Sequence, residues 1–172
     1  ALVEASRLSD LLDPLSAETK GQELAQKLQN KIPIIYASAS NLAIAQTWKI
    51  KFNETAKIPA FSNVLPELNH NEMSGFDTKA KTMPLMEKFH FVFLQNQADH
   101  PQIIKRLDAT KRLLERQEFK VDVLPLAGES VFHKIFQSLL VADWTSYHLA
   151  EFYGADPEQV PLVEEFKKLI AN

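Results

Sequence analysis

Residues 65–76, LPELNHNEMSGF, crowd Glu67, Asn69, His70, Asn71 and Glu72 into six positions between apolar flanks. An imidazole titrates near neutral pH, and Glu67, one turn earlier on a helix, is spaced to hold its tautomer. Sixteen residues upstream, in NETAK, Glu54 is expected near the C-terminal end of a helix. The helix dipole disfavours a carboxylate there and leaves it more ready to accept a proton, which suits a general base. A carboxylate and an imidazole at one crevice allow proton transfer on a small molecule without identifying it. The plainer alternatives are an exposed Glu54 paired with Lys57 and a capped surface turn around His70.

The other candidates are fewer. Ser38 and Ser40, after an apolar run, can donate to a phosphate or sugar hydroxyl, or can cap the helix that follows. With four glycines, and neither G-x-G-x-x-G nor a Walker loop, a backbone cradle for a dinucleotide has little to work with. The five histidines never pair at i, i+4, so no metal site and no cofactor is expected. The basic residues Lys105, Arg106, Lys111, Arg112 and Arg116 share a helix with Ile103, Ile104, Leu107, Leu113 and Leu114 and are expected to form its solvated face. Trp48 and Trp144 are expected as core anchors.

The elements that must position these groups follow from periodicity. KIPIIYAS (31–38) is a continuous β-branched run of the kind a strand buried on both faces needs. After it, Ser40 and Asn41 are candidate N-caps for a helix with Ile44, Trp48, Phe52 and Ala56 on one stripe. IPAFSNV is a second strand, Pro66 to Gly75 a brief helix, KFHFVFLQ a third strand, PQIIKRLDATKRLLERQ a helix, and FKVDVLPL a fourth strand. Helices close the chain over 129–153 and from Pro161 onward. The first 30 residues read as a helical lead-in, broken at Asp13-Pro14 and recapped at Ser16.

Strands alternating with helices predict an α/β fold, a three-layer αβα sandwich with a mostly parallel sheet of four to five strands and flavodoxin-like winding. At 172 residues and 45% hydrophobic content, one compact domain is expected, with 1–30 as lead-in and 31–172 as its body. The net charge of −3 supplies no footprint for nucleic acid or an anionic membrane. No apolar run nears the ~20 residues of a membrane span, and without cysteine thiolate and disulfide chemistry are excluded. A soluble, cytoplasmic protein is expected.

IPIIYAS, WKIKFNETAKIPAF, LPELNHNEMSGF and ADWTSYHLAEFYGADPEQVPLVEEFKK together resemble the C-terminal half of the bifunctional phosphoglucose/phosphomannose isomerases, of the sugar-isomerase (SIS) fold group. The two strongest parts are N-E-x-A-K-x-P-A-F and P-E-x-N-H-N-E, in that order along the chain. The resemblance implies interconversion of glucose 6-phosphate or mannose 6-phosphate with fructose 6-phosphate through a cis-enediol. By it, Glu54 is the base and His70 assists ring opening, reaching the site of a neighbouring subunit in a homodimer. It further implies a site lysine on the last helix, Lys167 or, next in line, Lys168, and substrate contacts from Ser38, Ser40, Asn53, Glu67 and Asn69. The chain departs from the family pattern at Ala37, Thr47 and Thr55, where glycine, arginine and asparagine are usual. It also lacks a counterpart of the N-terminal SIS half that grips the phosphate. The alternative is a non-catalytic phosphosugar-binding or dimerisation module; an ordinary flavodoxin-like binding domain is a third reading.

Overall fold

A computed structural model of the chain describes residues 6–77 and 81–171. Residues 1–5 of the expected lead-in lie outside the described residues. Four parallel strands, β1 (Ile32–Ser38), β2 (Phe61–Leu65), β3 (Phe89–Gln95) and β4 (Lys120–Pro125), form one sheet in the order β2-β1-β3-β4. The helices are α1 (Leu8–Leu11), α2 (Pro14–Leu28), α3 (Leu42–Glu54), α4 (Pro101–Arg116), α5 (Val131–Tyr153) and α6 (Pro161–Ile170). The expected α/β sandwich is therefore the fold, with four strands.

Alternation along the strands sorts the core into two layers. Ile35, Ala37, Val92 and Leu94 face α2, α3 and α5. Ile34, Tyr36, Phe91 and Phe93 face α4 and the turns after β2. β1 is central yet carries Pro33, which register explains. The Ile32 N–H donates to the Lys88 carbonyl on the β3 side at 2.7 Å. Alternation then turns the Pro33 nitrogen toward β2, whose pairing begins only at Ile34 opposite Phe61, so no ladder bond is lost.

The expected lead-in is part of this core, since Ala17, Leu24, Ala25 and Leu28 of α2 are buried in the same cluster as α3 and α5. Asp13, rather than Ser16, caps α2: its carboxylate accepts from the Ser16 N–H at 3.0 Å. Gly21 lets α2 approach α5 closely, because a Cβ there would lie 2.5 Å from the Trp144 Cβ. Trp48 is the core anchor expected of it, buried with its indole N–H donating to Ser138 at 2.9 Å. Trp144 is half-buried, packed against the same core from its rim and stacked on His148.

The stretch 66–76 differs from the expected brief helix. It forms two short 3-10 turns, Glu67–Asn69 and Glu72–Phe76, parted at His70 and Asn71. Leu68 and Phe76 are buried as its apolar anchors, and Phe76 meets Phe89, Phe91 and Phe119 edge-on. The polar side chains between those anchors are drawn to different partners, which a continuous helix would not allow.

Candidate functional site

A parallel sheet has two chemically distinct ends. Each strand finishes at one end, and each crossover helix runs back so that its C-terminus arrives at the other. Helix α3 starts just after β1 and spans about 20 Å at 1.5 Å per residue, so Glu54 lies where the strands begin. His70 follows β2, whose last residue Leu65 pairs with Ser38, so it lies where the strands finish. Glu54 and His70 therefore do not share one crevice within a chain, contrary to the expectation of a common site. The topology sends each to its own end.

At the end where the strands begin, Glu54 closes α3 on an exposed turn. Asn53 donates to the Ile58 carbonyl at 2.9 Å and locks the turn. Lys57, with φ 58°, donates to the main-chain carbonyl of Glu54 and to that of Pro157 at 3.4 Å. The expected Lys57–Glu54 side-chain pair is thus replaced by backbone bonds. Among the described residues the Glu54 carboxylate has no hydrogen-bond or ion-pair partner. Helix α5 also ends here, its Tyr153 hydroxyl accepting from the Asn30 N–H at 2.6 Å, and Gly154 (φ 64°) turns the chain toward α6. On α6 both Lys167 and Lys168 are exposed, and Lys167 pairs with Glu164 at 2.6 Å.

At the opposite end, His70 is exposed, and its N–H donates to the Glu67 carbonyl at 2.9 Å. Glu67 does not hold its imidazole; its carboxylate accepts from the Asn71 amide at 2.7 Å. Asn69 reaches Thr110 on α4 at 2.7 Å. Glu72 accepts from the Tyr36 hydroxyl at 2.5 Å and from the Asn63 amide. Burial, then the bond and the charge of Glu72, hold the Tyr36 phenol well above its usual range, so its O–H remains a donor.

The serines form a separate knot at this end. Ser38 and Ser40 hydroxyls lie 2.9 Å apart, the Asn41 amide donates to Ser38 at 2.6 Å, and Ser40 donates to Asp99 at 2.9 Å. Neither Ser40 nor Asn41 caps α3 with its side chain. A carboxylate inside this group favours hydroxyl partners over phosphate. Asp99 belongs to the loop after β3, which strand order alone sends to this end, but its bond to Ser40 depends on that loop folding over the end of β1. Glu72 was visible as one of four polar neighbours expected to support His70, and Tyr36 and Asn63 only as strand residues. Among the described residues no three His, Asp or Glu side chains gather at metal-ligand distances, and no helix is long and apolar enough to cross a membrane.

The four-stranded parallel sheet with helices on both faces is that of an α/β domain of the SIS fold. Its fold matches the C-terminal domain of glucosamine-fructose-6-phosphate aminotransferase from Francisella tularensis with a TM-score of 0.69 at 18% identity, over 91% of this chain and 46% of that one. Residues 17–170 match the bacterial phospho-glucose isomerase C-terminal SIS domain family, and the chain belongs to it. A bifunctional phosphoglucose/phosphomannose isomerase from Thermoplasma volcanium is 38% identical over 173 residues, covering 98% of this chain and 52% of the relative. One of the same description from Aquifex aeolicus is 36% identical over 155 residues, covering 89% and 47%. The chain spans about half the length of these curated relatives.

Proposed function

We propose that the chain is the C-terminal half of an aldose–ketose isomerase acting on glucose 6-phosphate or mannose 6-phosphate, with Glu54 as the proton carrier. One observation carries this reading. The NETAK turn is tied down on both sides of Glu54, through Asn53 and Lys57, while the Glu54 carboxylate itself is left exposed and unpartnered among the described residues.

The chemistry needs one base that takes and returns a proton. Glu54 removes the C2 proton of the open-chain aldose, the electron pair forms the C1–C2 double bond of the cis-enediol, and the carbonyl O1 gains a proton. The resulting carboxylic acid then protonates C1 as O2 loses its proton and becomes the ketone. A donor that polarises the carbonyl, the role of Lys167 or Lys168 in this scheme, lowers the barrier for both half-reactions. Glu54, Asn53 and the loop at Pro157 that leads into α6 lie at one end of the sheet, which supports α6 supplying the lysine to that end. His70 lies at the other, so it serves a site whose Glu54 belongs to a second copy, and the working unit is a homodimer with shared sites. Ser38, Ser40, Glu67 and Asn69 share His70's end and act there, on hydroxyls or as supports. The phosphate is gripped by an N-terminal SIS half joined to this chain.

The test joins the chain to such a half and follows fructose 6-phosphate conversion. Turnover that Glu54→Gln abolishes supports the reading. Equal inertness of wild type and Glu54→Gln leaves a phosphosugar-binding or dimerisation module.

A further inference from the structure

We infer that Glu72 is a positioning residue for His70, the bolt that holds the imidazole-bearing turn onto the sheet. The inference deepens the isomerase reading and rests on it for its chemical purpose. His70 is exposed, and its side chain has no partner among the described residues. What fixes its place is therefore the backbone on either side. On one side Asn69 is tied to Thr110, whose hydroxyl in turn donates to the Arg106 carbonyl at 2.8 Å. On the other, both carboxylate oxygens of Glu72 are occupied, Oε1 by Tyr36 and Oε2 by Asn63.

The sheet dictates that second contact. Tyr36 and Asn63 are register partners on β1 and β2, so their side chains leave the same face side by side. Tyr36 is 1% exposed, with its ring packed 5.4 Å from those of Phe91 and Phe93, so its hydroxyl is a fixed point. Asn63 is oriented as well, because its carbonyl accepts from the Val64 N–H at 2.8 Å, leaving its amide nitrogen for Glu72. Two pre-aimed neutral donors thus meet one carboxylate two residues beyond His70. A carboxylate so engaged is not free to act as a base, and its bonds set where the preceding turn sits.

The polarity of the Asn63–Glu72 bond gives the test. Glu72→Gln keeps the shape and an acceptor for Tyr36 but sets an amide against the Asn63 amide. Combining it with Asn63→Asp reverses donor and acceptor and restores the bond. Amide hydrogen exchange is read in the 172-residue chain, and kcat and KM in the protein joined to its N-terminal half. For Glu72→Gln the expected results are at least tenfold faster exchange of the His70 amide, unchanged exchange along β3, and kcat down about tenfold with KM within twofold. The Asn63→Asp/Glu72→Gln pair is expected to recover both. Unchanged His70 exchange in Glu72→Gln overturns the inference, as does a folded double variant with no recovery of either. Because the exchange arm needs no substrate, an inert Glu54-dependent assay sinks the isomerase reading and leaves this one to its own result.

Discussion

The two ends of the sheet are built on different plans. Where the strands begin, α3, the loop after α5 and the segment before β2 are held together mostly by side-chain bonds to main-chain carbonyls, and the carboxylate of Glu54 stays outside that lattice. Where they finish, the polar side chains bond to one another, as in Ser38–Ser40–Asp99 and Tyr36–Glu72–Asn63, and the imidazole of His70 is the group left out. Each end therefore presents one reactive group on a locked turn. One end carries Glu54 and the other His70, and under the proposed reading a second copy brings the two together.

The largest effect expected is at Glu54. In the protein joined to its N-terminal half, Glu54→Gln should lower kcat for fructose 6-phosphate formation by about 10²–10⁴-fold, the range for loss of a general base. Stability should hold, since that side chain makes no bond among the described residues. Next in size is the division of labour between ends. Co-assembling Glu54→Gln with His70→Ala copies should restore about a quarter of wild-type turnover, because half the dimers are mixed and one of their two sites is intact. No recovery in demonstrably mixed dimers would remove His70 from the site that Glu54 serves and break the comparison.

Smaller effects belong to the sheet between the ends. Asp122 on β4 accepts from buried His90 at 2.8 Å and pairs with Lys27 of α2 at 2.6 Å. The His90 bond, aided by Lys27, pulls the Asp122 carboxyl down to about 2. Because the folded value lies below the unfolded one, this stabilisation is complete above about pH 4 and disappears as pH falls through about 2. Asp122→Asn should cost about 1–2 kcal/mol at neutral pH after allowance for partial solvent screening, with the difference closing in acid. Urea titrations across that pH range read it, and turnover per folded molecule should not change. The smallest effect is at the Glu54 turn: Lys57→Met removes the tie to the Glu54 and Pro157 carbonyls and should cost about 0.5–1 kcal/mol. If it also lowers kcat, the tie serves to aim Glu54.

Much of this arrangement was legible in the chain. The β-branched run at 32–38 and the Ile44-Trp48-Phe52 stripe announced β1 and α3 because burial on a face imposes its own period. The 66–76 stretch misled because polar density carries no period, and the two 3-10 turns there are held by bonds to Thr110, Tyr36 and Asn63, residues 9–41 positions away. Trp144 anchors the core only from its rim, half-buried where α2 and α5 pass closely at Gly21, with its indole stacked on His148.

Composition, strand and helix periods, and the N-E-x-A-K and N-H-N-E segments were enough to determine the fold class and to single out Glu54 and His70. Local chemistry and hydrophobic pattern are properties of the chain itself. Tertiary structure alone decided that these two residues stand at opposite ends of the sheet, since only the direction of a crossover helix relative to its strands sets which end a residue reaches. It also decided that Glu72 is engaged by the partnered side chains of β1 and β2, a contact made by strand register that no spacing along the sequence displays.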